Sequence, residues 1–256
     1  MSEQSAISMG SAAGIYRELA WTRMKRGRLL WLCAALLALP VVGTGLLVIF
    51  GHWGRTLFDE VAEIHFRFLL PFVPALLASP IVSEELDQKT FTFLFARPAP
   101  RSAMVLGKLA AVVGPTLGMA ALSVALTWAL AMIRFPQDYA ETAGHLARAE
   151  IATVVGVFAY AGVATLFGSW FTRHPFVAVL GYLLLVEAGL GSAPIVLNLL
   201  AMSWHLRNLA QLALPTGSLT LDVPALVSAA VPLVLGSLGL GLACMAVADA
   251  EYHGKD

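Results

Sequence analysis

The stretch SEELDQKTFTFLFARPAPRSAMVLGK, residues 83–108, is a long polar interruption in a chain that otherwise reads as membrane-embedded. It holds four of the sixteen Lys and Arg residues. Its start is acidic, its middle aromatic, and a Pro-x-Pro stop precedes a basic end. A passive connection between two apolar runs needs none of these features. Their combination points to a docking element for a partner outside the bilayer.

Composition agrees with a membrane setting. Of 256 residues, 59% are hydrophobic and 12% charged, with a mean hydropathy of +0.79. A soluble domain carries about 25% charged residues, so lipid must solvate most of this chain. Spans of about 20 residues each use up nearly all its length. Residues 1–256 therefore read as one all-α transmembrane domain. A formal net charge of zero argues against nucleic acid as a partner. Cys33 and Cys244 sit far apart in apolar runs, the setting of packing residues rather than of a disulfide or metal site.

From Ala12 to Arg28, Ala12, Tyr16, Leu19, Ala20 and Met24 recur at helical spacing among five basic residues. The pattern predicts an amphipathic helix in the interface, its charges among anionic headgroups. The other reading is the ordinary basic flank of a first span. The apolar run behind it is too long for a signal-peptide core and has no clear cleavage site, so it reads as a retained span.

Hydropathy predicts six spans, at about 29–50, 65–82, 109–133, 151–171, 176–200 and 223–248. Pro40 is expected to kink the first, and Pro71, Pro74 and Pro80 to bend the second. Arg67 is expected to reach the headgroups. Gly114 and Gly118 have the spacing that lets helices approach closely. Residues 134–150 read as a polar loop, and 201–222 as carrying a short helix on, or dipping into, the far membrane face. Eleven Lys and Arg fall on the side of the termini and of residues 83–108, against five on the other. The positive-inside rule puts both termini and the 83–108 stretch in the cytoplasm.

Catalytic patterns are missing. A serine-type intramembrane protease needs an embedded Ser with a His base, and the last four spans contain no His. A His-Glu-x-x-His metal motif is absent. Gly107-Lys108 is followed by Leu109, where a phosphate-binding loop needs Ser or Thr. Glu187, deep in the fifth predicted span, is a candidate for a transport path, because an embedded ionisable group is costly to keep. The other reading is a protonated carboxyl bonded to a neighbouring backbone group or to Thr or Ser.

One segment goes beyond composition. Glu85 and Asp87 form an acidic pair, Thr90 follows, then the apolar Phe91, Phe93, Leu94 and Phe95, then Pro98, Arg101 and Gly107-Lys108. This order resembles the signature of ABC-2 type permeases, the membrane subunits of ATP-binding-cassette exporters. Lys89 stands where many members have Gly. The resemblance implies that residues 83–108 form a cytoplasmic coupling helix, between spans 2 and 3, that sits in a groove of a separate ATPase subunit. Phe91, Phe93, Leu94 and Phe95 would be apolar anchors, with Glu85, Asp87, Lys89, Thr90 and Arg97 beside them. Pro98 would end the helix, and Arg101 and Lys108 would lie at headgroup level or bond terminal carbonyls. It also implies a second permease chain, a bacterial inner membrane, and ATP and Mg bound by the partner rather than by this chain. An ion- or proton-coupled carrier, or a non-transporting anchor for an ATPase, remain the alternatives.

Overall fold

A computed structural model describes residues 8–51, 56–87, 101–192, 196–212 and 223–249, and among these there are helices and turns but no strand. Helix α1, Met9–Arg26, opens at Ser8, whose Oγ accepts from the Ser11 amide at 3.3 Å. It closes with Arg23, Lys25 and Arg26 in its last turn, where the helix dipole favours positive charge. Gly27 separates it from α2, Arg28–Ile49, which matches the first expected span closely. Inside α2, Thr44 donates to the Pro40 carbonyl at 2.8 Å, and Ser123 donates across to the Leu37 carbonyl. These bonds satisfy carbonyls beside the proline without water.

The second span starts at Leu57 rather than at His65. It runs through α3 (Leu57–Ile64), a π-helical turn (His65–Leu69), α4 (Leu70–Ala78) and α5 (Pro80–Asp87). Asp59 and Glu60 lie in the first turn of α3, where the dipole offsets their charge. The widened turn falls directly ahead of Pro71, which cannot donate to the carbonyl four residues back. Arg67, in that turn, does not simply reach outward: its guanidinium lies 3.9 Å from Glu63.

Helix α6, Arg101–Ala131, and helix α7, Tyr139–Trp170, are the two longest. Residues 139–150, expected as loop, are thus the first turns of α7. Hydropathy locates the lipid-facing length of a helix, not its end. The last long helix is α10, Ala225–Asp249.

Between α7 and α10 the expected span 176–200 is not one helix. Among the described residues five helices are long and apolar enough to cross a membrane by length and composition. The segment instead comprises α8 (Pro175–Tyr182), a π-helical turn (Leu183–Gly189) and 3-10 turns at Leu190–Ser192 and Val196–Leu200. The α8 helix and π turn rise about 22 Å at about 1.5 Å per residue, short of the ~30 Å apolar core. The cause is legible locally: Gly189 and Gly191 weaken helical bonding, while the mean hydropathy stays high. The short helix α9, Met202–Leu209, falls in the segment where a short helix was expected, and it is sunk inside rather than laid on a face: Met202, Ser203, Trp204, His205, Leu206, Arg207 and Leu209 are all buried.

Helix α7 is the hub, packing against α4, α6, α9 and α10. Two-thirds of the apolar window of α7 and of the second span is buried (67% each), against 22% in α2 and 28% in α10. The outer pair present Trp31, Leu39, Ile49, Leu226, Leu238 and Met245 outward, as a lipid-facing surface should. α7 and α10 touch backbone to backbone where Gly162 meets Gly236, the close approach that small residues permit. Gly114 and Gly118 do not play that part, since no neighbouring atom lies within 4 Å of either Cβ position.

Candidate functional site

Two regions carry the polar chemistry. The first is the end of the bundle where α5 leaves and α6 begins. Glu85 and Asp87 lie in the C-terminal part of α5. Lys89, Thr90, Phe91, Phe93, Leu94, Phe95, Arg97 and Pro98 fall outside the described residues. Arg101 is the first residue of α6. Its Nη1 donates to the Ala248 carbonyl at 3.1 Å, so a cation meets the last turn of α10, where the dipole is negative. Lys108 Nζ donates to the Ile81 carbonyl of α5 at 3.2 Å.

Gly107, between them, lies under α1. A side chain there would run into the Ala13 carbonyl and the Tyr16 Cβ. The glycine therefore lets two helices cross in backbone contact, and the sequence motif coincides with a packing requirement. As a result the start of α6 is joined to α1, α5 and the end of α10. The first and last described helices are thus both joined to the start of α6.

The second region surrounds Glu187, in the π-helical turn that breaks the fifth expected span. The carboxylate is buried and collects four donors. Oε2 accepts from Tyr160 at 3.0 Å and from the Ser203 amide at 2.8 Å. Oε1 accepts from Tyr182 at 2.6 Å and from the Met202 amide at 3.2 Å. Four donors complement the acceptor-only ionised carboxylate. Two of them are the leading amides of α9, so Glu187 caps that helix from a distance, supplying negative charge at its positive end.

Arg207, near the other end of α9, is fully buried. Its Nη2 donates to the Gly191 carbonyl at 2.8 Å, its Nε to the Ser203 carbonyl at 3.4 Å, and its Nη1 to Glu63 of α3 at 3.5 Å. Asn208 then ties α9 to the start of α10, through the Val223 carbonyl at 3.0 Å and Ser228 Oγ at 2.7 Å.

Among the predicted residues, then, Arg101 lies at the start of α6 and Glu187 deep inside, in separate places. Arg207, Tyr160, Tyr182 and Glu63 were not singled out from sequence. The available signal was chemical: a second charge in the short segment between apolar runs requires a buried partner. Among the described residues no group of three or more His, Cys, Asp or Glu is arranged to hold a metal ion.

Comparison with curated proteins finds no match. A protein-family comparison does: residues 18–189 match the family described as ABC-2 family transporter protein. That span is more than half of the chain and takes in both the 85–108 motif and Glu187. With five membrane-length apolar helices built around that motif, the chain belongs to the ABC-2 transporter family and is a multi-pass membrane permease.

Proposed function

We propose that the chain is the membrane-spanning subunit of an ATP-driven exporter, paired with a second permease chain and docked through residues 83–108 to a separate ATPase subunit. One observation carries this reading. The flanks of the motif segment are bonded to the rest of the bundle, Arg101 to Ala248 of α10 and Lys108 to Ile81 of α5. A force applied to that segment is therefore delivered to α5, α6 and α10 together. Glu85 and Asp87 meet basic groups of the partner, and Phe91, Phe93, Leu94 and Phe95 fill its groove. Lys89, Thr90, Arg97 and Pro98 complete the docking surface.

ATP and Mg are bound by the partner, and closure of two ATPase subunits shifts the spans between inward and outward states. The path runs along the interface of the two permease chains. Glu187 shapes the wall of that path: its saturated oxygens favour holding the broken span in place over direct contact with cargo. The excess of basic residues places residues 83–108 and the termini on the cytoplasmic side of a bacterial inner membrane.

The test is purification of the tagged chain in mild detergent from its native membrane. A near-stoichiometric subunit with ATPase activity is expected, and it should be lost in a Glu85→Lys/Asp87→Lys variant or in Phe93→Asp. A chain that runs alone in several detergents would sink the proposal and favour an ion-coupled carrier. An ATPase that co-purifies without any transport in proteoliposomes would favour a membrane anchor.

A further inference from the structure

Helix α7 ends at Trp170 and α8 begins at Pro175, so Phe171, Thr172, Arg173 and His174 are all that joins them. Apolar chain flanks this turn on both sides, Leu166-Phe167 before it and Phe176-Val177 after it. At about 1.5 Å per residue α7 rises about 48 Å, more than the ~30 Å apolar core. Its charged residues all lie at or before Glu150, so the excess length is at the start of the helix. Trp170 therefore falls at the boundary of the hydrocarbon, where tryptophan is favoured. A side chain at Gly168 would run into the Ser79 backbone. That contact sets the turn at the end of the bundle from which the 83–108 stretch departs.

A surface notch of about 440 Å³ opens at the turn, within the range of about 300–1,000 Å³ usual for small-ligand sites. Trp170, Phe171 and Val177 supply apolar walls, and Thr172, Arg173 and His174 supply polar groups. The walls are exposed, as are Arg173 and His174. The Phe171 ring is held by stacking on Phe167, with centroids 6.1 Å apart, and Phe167 in turn meets Tyr182 at 5.6 Å. Among the described residues no carboxylate lines the notch.

Apolar flanks this close confine Arg173 to the level of the headgroups, and its planar fork matches two phosphate oxygens. We infer that the notch holds one anionic phospholipid, its phosphate on Arg173 with Thr172 and His174 donating beside it. The glycerol and the first acyl carbons then lie against Trp170 and Val177. A zwitterionic lipid brings a second, positive group that Arg173 repels and that no carboxylate of the notch receives. A soluble phosphate would leave the exposed indole and Val177 unused. A protein partner would have to reach in among the headgroups to cover them. Bound there, the lipid clasps the end of α7 to the start of α8, the helix that leads into the π-helical turn of Glu187.

The experiment is native mass spectrometry of the full chain in mixed micelles with equal phosphatidylglycerol and phosphatidylcholine, under washing that strips loosely held lipid. The wild-type chain is expected to retain one phosphatidylglycerol at least fivefold over phosphatidylcholine. Arg173→Gln/His174→Gln should bring that ratio near one. Arg17→Gln, which removes a charge from the exposed side of α1, should leave it unchanged. Trp170→Ala/Val177→Ala keeps the polar groups and should shorten the retention of phosphatidylglycerol several-fold. Equal retention of both lipids by the wild type overturns the inference, and so does a preference that survives Arg173→Gln/His174→Gln. A fall as large in Arg17→Gln would make the preference one of net charge, which also overturns it. Unchanged retention in Trp170→Ala/Val177→Ala would replace the phospholipid with a soluble anion.

Discussion

At the residue scale, Glu187 and Gly107 make the strongest demands. Each Glu187 oxygen serves one tyrosine hydroxyl and one backbone amide of α9. A glutamine there retains one accepting oxygen and turns an amide group toward the other pair. A tyrosine hydroxyl can rotate to accept from that group, but a backbone N–H cannot, so one buried donor is orphaned at a cost of about 1–3 kcal/mol. Glu187→Gln should lower the apparent melting temperature in detergent by several degrees, and Tyr182→Phe, which leaves both amides capped, by less. Equal melting temperatures for wild type and Glu187→Gln would show that the cap does not matter. From the sequence, Glu187 was recognisable as costly to bury, and bonding to backbone was one of its two readings. The identity of its partners was not recognisable, because Tyr160 and Ser203 lie 27 and 16 residues away on other elements.

At the scale of elements, α1 depends on one crossing. A side chain at position 107 meets the Ala13 carbonyl, which belongs to backbone and cannot rotate away. Gly107→Val should therefore push α1 off α6, with an overpacking cost of about 1–3 kcal/mol. The expected result is faster tryptic cleavage at Arg17, Arg23 and Lys25 in the folded, detergent-solubilised protein. An unchanged cleavage rate would mean that α1 accommodates the change by sliding. The Gly107-Lys108 pair was readable as a motif, yet the motif does not say what the glycine faces. Likewise Gly114 and Gly118 satisfied the spacing rule but have no neighbour within 4 Å of a Cβ position in this chain, while Gly162 and Gly236, on different helices, make the close approach. A spacing rule describes one helix, and packing is a property of two.

For the whole molecule, the relevant feature is the bond that ties Arg101 at the start of α6 to Ala248 in the last turn of α10. Arg101→Gln removes the tie to Ala248 without disturbing the buried core, so stability should change by no more than about 0.5 kcal/mol. In the proposed complex, ATPase binding and ATP hydrolysis should persist while transport per ATP falls several-fold. Transport that stays coupled would relocate the lever to Lys108 and α5. The class of the protein was settled by the chain itself: apolar runs of span length, basic asymmetry and a compact motif are local properties, and they identify an all-helical membrane permease with the polar segment between its second and third long helices. The first and last spans match their predicted limits within a few residues for the same reason. Tertiary structure alone decided which donors surround Glu187, that Arg207 is buried against Gly191 and Glu63, and that α1 crosses α6 in backbone contact at Gly107. Each of these depends on which distant donor or backbone arrives beside a residue, and hydropathy, which averages along the chain, contains no information about neighbours across it.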